Sequence, residues 1–186
     1  MSDLDYFINP PWVESAVKIN AAALPPELLM KTAVDLAAAS AANSGGPFGA
    51  VLADPQGNII EIGWNYVVQA HNSMLHAEAH CIRRAQRMLR THDLGAPGLP
   101  EFRLFSSCAP CVQCFGAIYW SGLKQIFAAA GKEEAEAAGF DEGPLTPDMW
   151  AVAREKKGIC YVPNFYRNDA ALEPFRVFAA ARGTLY

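Results

Sequence analysis

From residue 25 onward, short apolar runs of strand length alternate with longer segments whose apolar residues recur at helical spacing, and this alternation constrains the fold more than any other feature. "PPELLMKTAVDLAAASAANS" (25–44) opens on prolines, continues in good helix formers and stops at Gly45-Gly46-Pro47. "FGAVLA" and "IIEIGW" flank the turn "DPQGN", the pattern of a hairpin. "HAEAHCIRRAQRMLRTH" (76–92) reads as an amphipathic helix, "FRLFSSC" as a strand, "CVQCFGAIYWSG" as a helix opened by Pro110, and "QIFAAAG" as another strand. An acidic, glycine-containing loop (131–144), a helix "TPDMWAVAREKK", a strand "ICYVPNF" and a final amphipathic piece, "DAALEPFRVFAAARGTLY", complete the series. Single strands alternating with helices predict a three-layer α/β/α domain around one mixed sheet. There is no internal repeat, low-complexity tract or linker.

A chain of 186 residues that is 52% hydrophobic is most simply one domain with a substantial core. An odd number of cysteines, five, no basic and apolar leader, and no apolar run near the roughly 20 residues of a membrane helix predict a reduced, cytoplasmic protein without membrane association. With 15 Lys and Arg against 19 Asp and Glu, a net charge of −4 offers no general attraction for a phosphate backbone, so no nucleic-acid partner is expected.

Three of those cysteines fall in "SSCAPCVQCFG" (106–116), and upstream stands His76-Ala77-Glu78 at the start of a predicted helix. H-x-E followed by P-C-x-x-C is the signature of zinc deaminases, and both halves are present. Cys111 and Cys114, three residues apart on the first turn of a helix, project to one side, where the positive helix end favours thiolates. His76 completes three ligands for Zn²⁺ and leaves the fourth tetrahedral position open, the mark of a catalytic site. Glu78 is then free to carry protons, and the reaction class is hydrolytic removal of ammonia from an amidine-like carbon.

At these residues the chain resembles the bacterial guanine deaminases of the cytidine-deaminase superfamily. The likeness rests on "GGPFGAV" (45–51), "HAE", "SCAPC" with "CFGAIYW" (107–120), "EAAGFDEG" (136–143) and a terminal tyrosine, and it runs from about residue 25 to the C-terminus. It implies a cytidine-deaminase-like fold with about five strands over 25–186, with residues 1–24 an added segment packing on the core. It also implies Zn²⁺ on His76, Cys111 and Cys114, proton transfer by Glu78 and Glu142, and contact of Phe48, Asn65, Ala77, Phe140 and Tyr186 with guanine or a related amino-heterocycle. A homodimer with exchanged C-terminal segments is implied as well. Two positions depart from the family pattern: Ala109 replaces the usual acid before Pro-Cys, and Glu142 is one methylene longer than the common aspartate.

Other assignments compete. Cys108 could close a structural Cys₃His site, which would leave Glu78 without a task. A ferredoxin run would need further cysteines that are missing. Deaminases of aminotriazines such as ammeline, of cytosine or of tRNA adenosine share parts of the motif, and a structural zinc module is the reading outside enzymes. His71, His80 and His92 read as structural, Cys81 and Cys160 as small core residues, and Arg83, Arg84, Arg87 and Arg90 as one solvated helix face.

Overall fold

The apolar runs pair into one sheet. In the computed structural model, which describes residues 8–17, 22–166 and 169–186, the strands are β1 (Gly49–Ala53), β2 (Ile59–Trp64), β3 (Arg103–Cys108), β4 (Gln125–Ala130) and β5 (Cys160–Val162). Their spatial order is β2-β1-β3-β4-β5. β1 is antiparallel to both β2 and β3, whereas β3, β4 and β5 run parallel, so the sheet is mixed. The β1–β2 hairpin is pinned by Asp54, whose carboxylate accepts the backbone N–H groups of Gln56 and Asn58 at 2.9 Å and the Asn58 amide at 2.7 Å. This is the side-chain turn chemistry for which Asp is favoured in loops.

All five residues of β1 are buried because helices cover both faces of the sheet. Val51, Ala53, Ile62, Trp64 and Phe105 face one layer, formed by α1 (Pro11–Ala16) and α2 (Pro26–Ala42). Ala50, Leu52, Leu104 and Ile126 face the other, formed by α4 (Ala77–Leu89), α5 (Val112–Ser121) and α7 (Pro147–Lys157). Two short helices, α3 (Val67–Ala70) and α6 (Lys132–Ala137), lie in connections, and a 3₁₀ turn over Asp169–Leu172 leads into α8 (Glu173–Ala180), which packs on α2. Of residues 1 to 24, positions 1–7 and 18–21 lie outside the described residues; in α1, Val13 is fully buried and Trp12 meets Trp64 edge-on at 5.7 Å.

Four sequence expectations need correction. The acidic stretch 131–144 is not all loop, because its run of good helix formers closes one short helix, α6, whose first turn is held by the Gly131 N–H donating to Glu134 Oε2 at 2.8 Å. The helix expected over 76–92 ends at Leu89, where Arg90 adopts a left-handed conformation. Arg84 is not on a solvated face: it is 5% exposed, lies 5.1 Å over the Trp64 ring and donates to Glu61 on β2 and to Asn9. Cys160 is only half-buried.

The β1–β3 register, Ala50 opposite Ser106, brings the start of β1, the end of β2 and the end of β3 to one edge of the sheet. Gly63 lets α4 lie directly on β2 there, since a Cβ at this position would stand 2.2 Å from the Ala77 carbonyl oxygen and 2.5 Å from the Cys81 nitrogen. The N-termini of α4 and α5 open onto that same edge.

Candidate active site

His76 and Cys111 are the N-cap residues of α4 and α5, so two helix N-termini converge on one point. Cys111 Sγ lies 3.3 Å from His76 Nδ1, and one ligand atom each from His76, Cys111 and Cys114 falls within 4.8 Å of the others. A tetrahedral zinc with Zn–S bonds of ~2.3 Å sets its ligand atoms roughly 3.5–3.8 Å apart, so two thiolates and an imidazole at this spacing fit that ion. Among the described residues this is the one group of three or more potential ligands so arranged. Its pairing with Cys114, then the bond with His76, holds the Cys111 thiol well below its ordinary range; the same pairing, with burial and the charge of Glu78, pushes Cys114 up. Burial pushes the His76 imidazole down, but its bond to Cys111 and the negative charges of Cys111, Glu78 and Glu142 outweigh this and raise it.

Cys108 is turned away from the cradle. Its thiol lies 3.2 Å from the Gly131 carbonyl and packs with Ala41, Ala130, Phe140 and Phe178. Burial, with the charges of Glu142 and Glu78, drives that thiol far up, and its sulfur is not among the clustered ligand atoms. The set therefore stays at three, and the site keeps an open position.

Beside the cradle, Glu78 is 6% exposed; its Oε1 accepts from Ser106 at 3.0 Å and its Oε2 from Cys114 at 3.2 Å. Burial and the charge of Cys111 push its carboxyl up. Glu142 comes from the loop after α6. Its carbonyl accepts the Val112 N–H at 3.2 Å, while Lys132 donates to the next carbonyl, Gly143, at 2.8 Å. Burial raises the Glu142 carboxyl to about 8, with Cys111 and Glu78 adding to the effect. A cation in the cradle would act in the opposite direction on both acids.

A cavity of about 380 Å³ opens over these groups, and Phe48, Asn65, Phe140, Glu142 and Tyr186 line it together with His76 and Glu78. Asn65 follows β2 directly and is 1% exposed. Its Oδ1 accepts the Val67 N–H at 3.3 Å, which fixes the amide, and its Nδ2 has no partner among the described residues. A buried amide nitrogen without a partner calls for an acceptor on whatever enters. The Tyr186 ring lies 5.5 Å from Phe140 and 6.0 Å from His76, in the cavity of its own chain. Gly46 makes room for it: a Cβ there would stand 2.4 Å from the Tyr186 hydroxyl.

Ala77 is not among the residues lining the cavity, and its methyl is fully buried in the layer under α4. Val67, Ser73, Gln113 and Asp141 line the cavity without having been singled out, and neither had Ser106. Strand alternation from Leu104 held the signal for Ser106, since it places residue 106 on the face toward α4.

Residues 25–130 match the cytidine and deoxycytidylate deaminase zinc-binding region. A guanine deaminase of Bacillus subtilis strain 168 is 36% identical over 154 residues, covering 82% of this chain and 95% of its own length. The structure of a guanine deaminase from Nitrosomonas europaea superposes with a TM-score of 0.86 at 36% identity, covering 96% of this chain and 98% of that one. Another solved structure, in complex with 2,6-diaminopurine, also superposes with a TM-score of 0.86, at 38% identity and with 96% and 94% coverage.

Proposed function

The chain belongs to the cytidine and deoxycytidylate deaminase family, and from that membership we propose that it is a zinc-dependent guanine deaminase, releasing ammonia and leaving xanthine. One observation carries the choice of substrate: the cavity lined by His76 of the three-ligand cradle and by Glu78 also presents a locked, unpartnered Asn65 amide donor. Guanine offers acceptors at O6 and N7 on the side away from the amino-bearing C2. Adenine offers a donor at C6 and carries no amino group at C2.

His76, Cys111 and Cys114 would hold the zinc ion. When bound, zinc supplies a Lewis acid that makes water nucleophilic near neutral pH. Asn65 donates to the purine, while Phe48 and Phe140 bracket the ring and Tyr186 closes the mouth. Glu78 takes one proton of the attacking water and delivers it to N3; the second, from the hydroxyl then on C2, reaches the departing amine through Glu78 and Glu142. No helix among the described residues is long and apolar enough to cross a membrane, and all five cysteines are free, in keeping with purine breakdown in a reducing cytoplasm.

The experiment is ammonia release from the zinc-loaded protein with guanine, adenine, cytosine, cytidine and aminotriazines. Turnover of guanine well above the others is the expected result. Turnover led by cytosine or an aminotriazine would replace the reading, since aminotriazines present the same amidine edge. We also propose a homodimer in which the segment from α8 to Tyr186 is exchanged, so that one chain's tail closes its partner's cavity with the contacts seen here within one chain. Mixing a Glu78→Gln chain with one lacking Leu185-Tyr186 should then restore activity. No recovery in a verified mixed dimer would sink the exchange.

A further inference from the structure

Glu78 has three rotatable bonds and must hold one carboxylate oxygen toward the attacking water while carrying protons to two places. Two side chains grip it in the structure: Ser106 at Oε1, 3.0 Å away, and Cys114 at Oε2, 3.2 Å away. Cys114 belongs to the metal cradle, and a thiolate that binds a cation has no proton to donate. Of the two, Ser106 alone can keep its bond in the working enzyme. We propose that Ser106 is a positioning residue for the proton carrier: its hydroxyl pins Glu78 Oε1 and leaves Oε2 for proton transfer. This rests on the deaminase reading of the site.

The sheet is built for the contact. Ser106 sits on β3, the central strand, and is 2% exposed. Its lateral neighbours are both alanines, Ala50 on β1 and Ala128 on β4, so the carboxylate reaching down from α4 meets little steric bulk there. Ser107 faces the other way, where its Oγ accepts the Gly49 N–H at 3.0 Å. The two adjacent serines thus have separate tasks, one bonded to backbone and one to the reactive acid. A serine hydroxyl buried against a carboxylate forms a charge-assisted bond, stronger than a neutral one.

The test uses the zinc-loaded full chain for kinetics and the zinc-free full chain for melting. Ser106→Ala should lower kcat for guanine by about tenfold or more, with KM within about twofold and zinc content unchanged, because only the acid's alignment is lost. Ser106→Thr keeps the hydroxyl and should recover most of that rate. In the zinc-free protein, Ser106→Ala should lower Tm by about 2–4 °C, the shift of a single hydrogen bond in a chain of this size, and the drop should vanish in a Glu78→Ala background. Wild-type kcat in Ser106→Ala, equal losses in the Ala and Thr variants, or melting shifts that simply add would each overturn the assignment. If the wild-type protein does not deaminate guanine, the substrate reading falls, and the melting cycle still decides whether Ser106 and Glu78 are coupled.

Discussion

Cys108 and Cys111 are three residues apart and differ in environment: one thiol is packed against Phe140 and Phe178, the other sits at a helix N-terminus beside His76. Cys111→Ala should therefore lose both zinc and activity, and Cys108→Ala should keep both; metal analysis of the two purified variants checks this. Glu78→Gln keeps the shape of the side chain but cannot accept a proton. Zinc should stay while kcat falls by ~10²–10⁴-fold, the usual contribution of general acid–base catalysis, read as turnover per bound zinc. The ligands and Glu78 were legible in the sequence because their spacing is a property of two helix first turns. Ser106 was not, because which side of a strand faces a cavity depends on register with other elements. The Val67 bond that orients Asn65 was hidden for the same reason.

Between elements, a largely buried ion pair outside the site joins α4 to β2. Arg84 Nε and Nη2 lie 3.0 and 2.9 Å from Glu61 Oε1, and both side chains are largely buried. Arg84→Ala would leave Glu61 buried without its cation, which typically costs about 3–5 kcal/mol, and the double variant Arg84→Ala/Glu61→Ala should lose less than the sum of the singles in denaturant unfolding. The hairpin carries a pH-dependent contribution. Burial pushes the Asp54 carboxyl up, but its bonds from Asn58, Gln56 and Gly57 outweigh this and hold it below the usual carboxylate range. A folded-state pKa below the unfolded one stabilises above the unfolded value near ~3.9 and is lost as pH falls through the folded value. The Tm gap between wild type and Asp54→Ala should accordingly be full at neutral pH and shrink below about pH 4. Helix–strand alternation carried most of the fold into the sequence reading. It misplaced Arg84 because helical spacing alone does not show what stands opposite, and it missed α6 because one turn of helix resembles an acidic loop.

At the scale of the whole chain, the site draws on places far apart in sequence, among them Phe48 before β1, Asn65 after β2, the starts of α4 and α5, the loop at 140–142, and Tyr186. Removing Leu185-Tyr186 should lower kcat/KM for guanine by about 10–100-fold through lost closure and alignment, while zinc content and Tm stay nearly unchanged. Steady-state kinetics beside metal analysis and melting of the truncated protein decide it. The order of these places along the chain has a consequence during synthesis. All three zinc ligands have been made once Cys114 is added, 72 residues before Tyr186 (186 − 114). At ~5–20 residues per second, roughly 4–14 s of translation separate the completed ligand set from the residue that covers it. On the ribosome the ligand set is therefore made before the Tyr186 ring that lines the cavity.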